Sequence, residues 1–255
     1  MCGRYALTTT PDDVLNFVSV SLVEDFPPRY NIAPTQPILV VMQAERPDPR
    51  SNEPDRRAFL ARWGFIPGWA KDPRDLSLMI NARAETAIGK ASFRAAMRHR
   101  RILVPASGFY EWRRPEKSGE EKSQPYWIRP KEGGLIAFAG LMETYASADG
   151  SEIDTAAILT TGANLFMKRI HDRMPVVIGQ QDFSRWLDCK TQEPRAVIDL
   201  MRAADEDFFE AIPVSDRVNT VANMGADLQH PVQELAPLPI VKGKKTPDDK
   251  QLSLF

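Results

Sequence analysis

The chain begins Met1-Cys2-Gly3-Arg4, with one of its two cysteines directly after the initiator methionine. Initiator methionine is trimmed before small residues, and cysteine is small, so a mature chain starting at Cys2 would carry a thiol and a free α-amine on one residue. An α-amine titrates near 7.7–8.0 against about 10.4 for lysine, so at neutral pH it is uncharged roughly 300 times more often. It can attack an aldehyde to give an imine, and the thiol one carbon away can close onto that imine as a thiazolidine ring. The thiolate is the reactive form of sulfur and a nearby cation favours it; Arg4 is the candidate. A second reading leaves Cys2 as a small apolar residue at a frayed terminus.

Other familiar chemistries lack their spacing. Cys2, Cys189, His99, His171 and His230 show no CxxC or HxxxH arrangement, so no structural metal is expected. GxGxxG, GxxxxGK[ST] and GxSxG are all missing, which removes the usual support for a nucleotide cofactor or a serine hydrolase; no cofactor is expected. The formal net charge is −1, yet from Arg83 to Arg101 six basic residues face the single acid Glu85. Such a cluster can neutralise phosphates or simply form a solvated helix face.

The elements that must position these residues are mostly strands. Thr10-Pro11-Asp12-Asp13 supplies an N-cap, a proline in the first turn and acids beside it, predicting a helix through Val18. Pro37–Met42, Ala58–Phe65, Ile102–Pro105, Tyr126–Arg129, Leu135–Leu141 and Thr155–Thr160 are short, apolar or alternating, and bounded by breakers, and read as strands. Ser92 is placed to cap a basic helix reaching about Arg98, and Asp182–Leu187 and Pro194–Arg202 read as helical. Strands outnumber helices without alternating regularly, which predicts an α+β fold. Glu45–Arg57 and Pro115–Gln124 read as surface loops, and beyond about Pro231 the composition shifts to Pro, Lys and Asp, predicting a flexible tail. With 43% hydrophobic residues the chain can bury a substantial core. The absence of a run of about 18 apolar residues or a signal pattern, with two cysteines, predicts a cytoplasmic protein with no membrane contact.

Several stretches in order resemble one family: Cys2-Gly3-Arg4-Tyr5, Arg29-Tyr30-Asn31-Ile32-Ala33-Pro34-Thr35, Trp63-Gly64-Phe65-Ile66-Pro67-Gly68-Trp69, Asn81-Ala82-Arg83-Ala84-Glu85-Thr86, Gly108-Phe109-Tyr110-Glu111-Trp112 and Ile170-His171-Asp172-Arg173-Met174-Pro175. The chain thereby resembles the SOS-response-associated peptidase family over about residues 2–231. The resemblance implies a single domain on a mixed, mainly antiparallel, barrel-like sheet with flanking helices. It also implies covalent capture, by the amino-terminal cysteine, of the ring-opened sugar aldehyde of an abasic site in single-stranded DNA. The family name adds a peptidase activity that would unmask the cysteine.

Carried over residue by residue, the resemblance gives Glu111 the role of catalytic acid. Ring opening, dehydration and ring closure all move protons, and a carboxyl group suits that work. Taken alone, Glu111 also reads as an exposed strand carboxylate. His171 matches a position that aids formation and reversal of the crosslink, as a near-neutral acid and base; a lone histidine can equally be structural. Asn81, otherwise a turn residue, would hold the cysteine amine or the opened sugar by hydrogen bonds. Arg4, Arg83 and Arg173 match phosphate-gripping positions. Trp69 and Pro34 match positions that stack on or wedge between bases, worth roughly 1–3 kcal/mol per base for an aromatic face. After Thr86 the pattern loosens, leaving Lys90 without a clear counterpart.

Residues 232–255 end in Gln251-Leu252-Ser253-Leu254-Phe255, which looks like the bacterial sliding-clamp-binding motif: a glutamine that hydrogen-bonds, then Leu252, Leu254 and Phe255 for an apolar pocket. The chain is expected to act as a monomer on single strands near the nucleoid. Two other classes stay open at this point: an amino-terminal-nucleophile peptidase using Cys2 with His171 or Glu111 as base, and a module that coats single strands without covalent chemistry.

Overall fold

The computed structural model describes residues 2–21, 26–44, 55–114 and 123–235. In chain order the elements are β1 (Tyr5–Leu7), α1 (Pro11–Val18), β2 (Arg29–Ile32), β3 (Pro37–Gln43), β4 (Arg56–Trp63), β5 (Asn81–Arg83), α2 (Ala84–Ala87), α3 (Arg94–His99) and β6 (Arg101–Ala106). There follow β7 (Gly108–Arg113), β8 (Gln124–Pro130), β9 (Ile136–Ala146), β10 (Glu152–Gly162), α4 (Leu165–Lys168), β11 (Arg173–Pro175), β12 (Val177–Ile178), α5 (Phe183–Leu187) and β13 (Phe209–Pro213). The α+β expectation therefore holds.

Two sheets carry the fold. One has five strands in the order β13-β8-β7-β1-β2; the other has eight, and a pairing of β10 with β9 closes β10, β4, β3, β6 and β9 into a barrel. Pairing is antiparallel except where β10 runs parallel to β4 and to β5. An aromatic seam joins the sheets: Tyr5 of β1 meets the rings of Trp63 and Phe138 edge-on at 5.3 and 6.0 Å, and Phe109 of β7 meets Phe138 and Phe209 at 6.1 and 5.5 Å. Each such pair adds about 0.5–1.5 kcal/mol beyond its burial. The strand that follows Cys2 is thus fixed by its own side chain in the core. Gly108 lets β7 lie close on β8, because a Cβ there would stand 2.7 Å from the Trp127 ring and run into the Ile128 carbonyl.

Local signals were followed where nothing competed. Thr10 caps α1 by accepting the Asp13 amide, and Val14 and Val18 are its buried face. The helix expected from Ser92 instead starts at Arg94, with Phe93 at the cap position and no side-chain cap. The reason is packing: Phe93 is 2% exposed with its ring 5.1 Å from Phe65, so burial of the phenylalanine decides where the chain turns. Pro194–Leu200 winds as a 3-10 helix and Asp182 ends a 3-10 turn before α5. Arg56 and Arg57, expected in a loop, belong to β4 and pair with Gln43 and Met42. Gln124, also expected in a loop, is buried in β8 and donates to the carbonyls of Pro125 and Val214. Residues 45–54 and 115–122 of those two loops lie outside the described residues. So do Gln251, Leu252, Leu254 and Phe255 of the clamp-like motif. Among the described residues no helix is long and apolar enough to cross a membrane.

Candidate functional site

Cys2 lies just before β1, which is held between β2 and β7. The register Tyr5↔Phe109 and Ala6↔Gly108, extended by the Tyr110 amide donating to the Arg4 carbonyl at 2.9 Å, carries Cys2 along β7 toward Glu111. The Cys2 side chain is fully buried, and Glu111 is 2% exposed, which removes the reading of Glu111 as a solvated strand carboxylate. Burial first, and the Glu111 charge second, push the Cys2 thiol well above the ordinary cysteine range, opposed in part by an amide hydrogen bond from Arg4. In the chain that carries Met1 this burial favours the thiol over the thiolate, and Arg4 acts against it through its backbone amide rather than as a cation.

Asn81 closes the other side. Its Nδ2 donates to the Cys2 carbonyl oxygen at 2.9 Å, while its Oδ1 is buried with no hydrogen-bond partner among the described residues. Strand β10 acts as the ruler for the neighbours: Ile158 pairs with Asn81 and Thr160 with Arg83 on β5, while Gly162 pairs with Arg173 on β11. His171, two residues before the start of β11, is anchored by its amide to the Met167 carbonyl. Its Nδ1 accepts from the Arg173 amide at 3.0 Å, so the neutral ring carries its proton on Nε2. The Asp172 carboxylate lies 3.0 Å from the same Nδ1.

The basic residues divide into different tasks. The guanidinium of Arg4 turns inward: Nη1 donates to Asn31 Oδ1 at 2.8 Å and to the Val218 carbonyl at 2.7 Å, and the group lies over the Trp112 ring. Arg173 makes a two-pronged pair with Glu85 at 2.6 and 2.9 Å. Arg83 is exposed and makes no hydrogen bond or ion pair with its guanidinium among the described residues. The Arg83–Arg101 run is not one uniform face. Arg98 pairs with Glu193, Arg100 pairs with Glu143, and Arg101, 1% exposed, donates to the carbonyls of Met97, Trp186, Asp188 and Gln192. Arg83, Lys90 and Arg94 remain without an ion pair among the described residues.

Trp69 is 58% exposed on the turn closed by the Ala70 amide and the Pro67 carbonyl. Pro34 precedes Thr35, a β-branched residue held at φ 73° with its amide donating to the Trp63 carbonyl at 2.7 Å. Such a conformation costs about 1–3 kcal/mol and persists where surroundings enforce it. Trp63 in turn donates from Nε1 to the Ile80 carbonyl at 2.9 Å, beside Asn81. Pro34 and Trp69 therefore ride on segments braced against the strand that carries Asn81, with no hydrogen bond of their own to the cluster.

Asn31 was not visible as a functional residue, although an asparagine in an otherwise strand-like stretch is a signal in itself. It is 4% exposed and its Nδ2 reaches the carbonyls of Val218, Thr220 and Asn223 at 3.3, 3.2 and 2.8 Å, while Trp112 Nε1 donates to Asn219. Arg4, Asn31 and Trp112 thus lock the loop 218–223 onto the strands that carry Cys2 and Glu111. Asn31→Ala leaves that loop's carbonyls and Arg4 short of partners and is expected to cost about 2–3 kcal/mol, lowering the melting temperature by about 5–10 °C. A thermal melt within a degree or two of wild type would show that the loop is held by other means.

Among the described residues no group of three or more His, Cys, Asp or Glu is arranged to hold a metal ion. What the cluster offers is a cysteine held by its backbone, a buried carboxylate, a histidine, and, among the described residues, an amide with an open acceptor and an arginine without an ion pair. The sequence model of the SOS response associated peptidase (SRAP) family matches residues 1–221. Abasic site processing protein YoaM of Bacillus subtilis (strain 168) is 37% identical over 231 residues, covering 89% of this chain and 97% of YoaM. Abasic site processing protein YedK of Escherichia coli (strain K12) is 31% identical over 239 residues, covering 91% of this chain and 100% of YedK. A solved structure from Bacteroides thetaiotaomicron superposes with a TM-score of 0.75 over 91% of this chain and 100% of its own, at 20% identity, a likeness of fold. The stretches that supply Cys2, Asn81, Glu111 and His171 all fall within the matched residues, and this chain belongs to the SOS response associated peptidase family.

Proposed function

We propose that this protein senses abasic sites in single-stranded DNA and captures them covalently through Cys2. The observation that carries the reading is the enclosure of Cys2, buried like the Glu111 carboxylate, with the Asn81 amide holding the Cys2 carbonyl and its Oδ1 without a hydrogen-bond partner among the described residues. The α-amine is the group that condenses with an aldehyde, so it leads the attack and the thiol follows. Removal of Met1, by an aminopeptidase or by the protein itself, exposes that amine next to an acceptor suited to orient it. The amine nitrogen adds to the aldehyde carbon of the opened sugar, and the carbinolamine loses water to an imine. Glu111 and His171 supply and recover the protons for ring opening and dehydration. The thiol sulfur then bonds the imine carbon, its proton passes to the nitrogen, and a neutral thiazolidine results, with no oxidant or cofactor consumed.

Arg83 is the phosphate contact best supported by its exposure, and Trp69 offers a face for a base. The catalytic domain is read as residues 2–231. The deciding experiment is incubation of the mature protein with single-stranded DNA carrying one abasic site, followed by heat and detergent. A conjugate of protein and DNA is expected. Turnover of a peptide with no conjugate would favour an amino-terminal-nucleophile peptidase, and binding without conjugate a coating module.

The tail, residues 232–255, is read as a tether to the sliding clamp through Gln251, Leu252, Leu254 and Phe255. Tethering would raise the sensor's effective concentration where single strands arise during synthesis. A fluorescent peptide covering residues 250–255 is expected to bind purified bacterial clamp saturably, and Leu254→Ala with Phe255→Ala to abolish binding. Absence of saturable binding, or indifference to the double substitution, overturns the tether.

A further inference from the structure

Arg173 has three hydrogen-bonding nitrogens. Nη1 and Nη2 meet the two carboxylate oxygens of Glu85 at 2.6 and 2.9 Å, and Nη2 also donates to the Thr160 carbonyl at 2.5 Å. Nε is buried with no hydrogen-bond partner among the described residues. The two halves of the ion pair are unequally held: the Arg173 side chain is 15% exposed and Glu85 49%. Arg173 is anchored to β10 through Thr160, whereas Glu85 projects from the four-residue α2. The hydrogen bonds from Arg173 hold the Glu85 carboxyl below its ordinary range, so it is ionised at neutral pH.

Glu85 also lines a cavity of about 600 Å³ together with Arg83, Thr86, Gly89 and Lys90. Arg83 on β5 pairs directly with Thr160 on β10, so Arg173 and a cation without an ion pair among the described residues meet at the same position of β10. A phosphate that enters along Arg83 and Lys90 therefore meets a carboxylate already seated on Arg173. Water competes for the half-exposed Glu85 carboxylate, while Arg173, 15% exposed, stays seated on the Thr160 carbonyl. When phosphate takes the carboxylate's place on Arg173, Glu85 is the half that moves.

We propose that Glu85 is a specificity determinant, a resident anion that competes with DNA phosphate for Arg173 and so weakens retention on strands that offer no aldehyde to capture. The inference rests on the single-strand reading above. A lesion held covalently is indifferent to this competition, whereas an undamaged strand is released sooner.

The test is fluorescence anisotropy with a labelled, lesion-free oligothymidylate and the full-length chain. Glu85→Gln, which keeps shape and removes charge, is expected to bind about three- to tenfold tighter at low salt, with slower dissociation. Its log–log salt dependence should steepen by up to about one, since no freed carboxylate takes back a cation. Glu85→Asp, which restores a carboxylate, should return toward wild type. Equal or weaker binding by Glu85→Gln overturns the proposal and leaves Glu85 as a brace for Arg173. Absence of binding by the wild-type chain would instead remove the single-strand reading itself, so the two failures are distinguishable.

Discussion

Neither Cys2→Ala nor Cys2→Ser should give a heat-resistant conjugate with abasic single-stranded DNA, yet both should be trapped on it when borohydride is present. Both variants keep the α-amine once Met1 is removed, and an amine alone takes the reaction as far as the imine. An imine hydrolyses unless it is reduced or closed into a ring, and only the cysteine sulfur closes it. The order follows from the groups themselves: the amine condenses with the aldehyde first, and the sulfur of the buried Cys2, whose carbonyl is held by Asn81, closes the ring once the imine carbon lies beside it. A chain that retains Met1, checked by mass, keeps the thiol but offers an amide nitrogen in place of the amine. Its conjugate yield should fall by at least about 100-fold, the loss expected when an oriented nucleophile is taken away. Normal crosslinking by the Met1-retaining chain would refute the thiazolidine account.

The parts of this site that were legible in the sequence are those whose chemistry is local to one residue. Cys2 stands out by the pairing of thiol and amine that its position would give, although position alone also allowed a frayed apolar end, and Thr10 with Pro11 and Asp13 announces α1 because a cap is a contact within one turn. The three-residue strands β1, β5 and β11 were not legible, since three residues show no periodicity and each exists only by pairing with a longer neighbour. Asn81, Arg83 and Arg173 are consequently brought together by β10, more than seventy residues from the first of them, through a register that no local pattern encodes. Charge was the least transferable signal. Arg101 belongs to the basic run in sequence but is a buried donor to four carbonyls, because the turn after α5 wraps around it. Arg4, matched to a phosphate-gripping position, also donates from Nη1 to the carbonyl of a loop over two hundred residues away in the chain, a contact that no local pattern encodes.

Glu111→Gln should slow crosslinking by about 100- to 1,000-fold while leaving affinity for undamaged single strands within about twofold of wild type. The side chain is 2% exposed on β7, too deep to meet a phosphate, and its charge is felt at the Cys2 sulfur. Glutamine keeps the volume and polarity but cannot deliver or recover the proton needed for ring opening and dehydration. Arg83→Ala should show the opposite profile. Its guanidinium is exposed, unpaired among the described residues and beside the cavity shared with Lys90, so its loss removes one phosphate contact. Binding should weaken about three- to tenfold at low salt, the difference should fade as salt rises, and the log–log slope should shrink by about one. With DNA in saturating excess the same variant should crosslink at close to the wild-type rate, because Cys2, Asn81 and Glu111 keep their contacts. Rapid-quench crosslinking and anisotropy on the same preparations separate these outcomes. Equal loss of binding in both variants would mean that Glu111 is part of the strand-holding surface, and the division between buried chemistry and exposed charge would have to be abandoned.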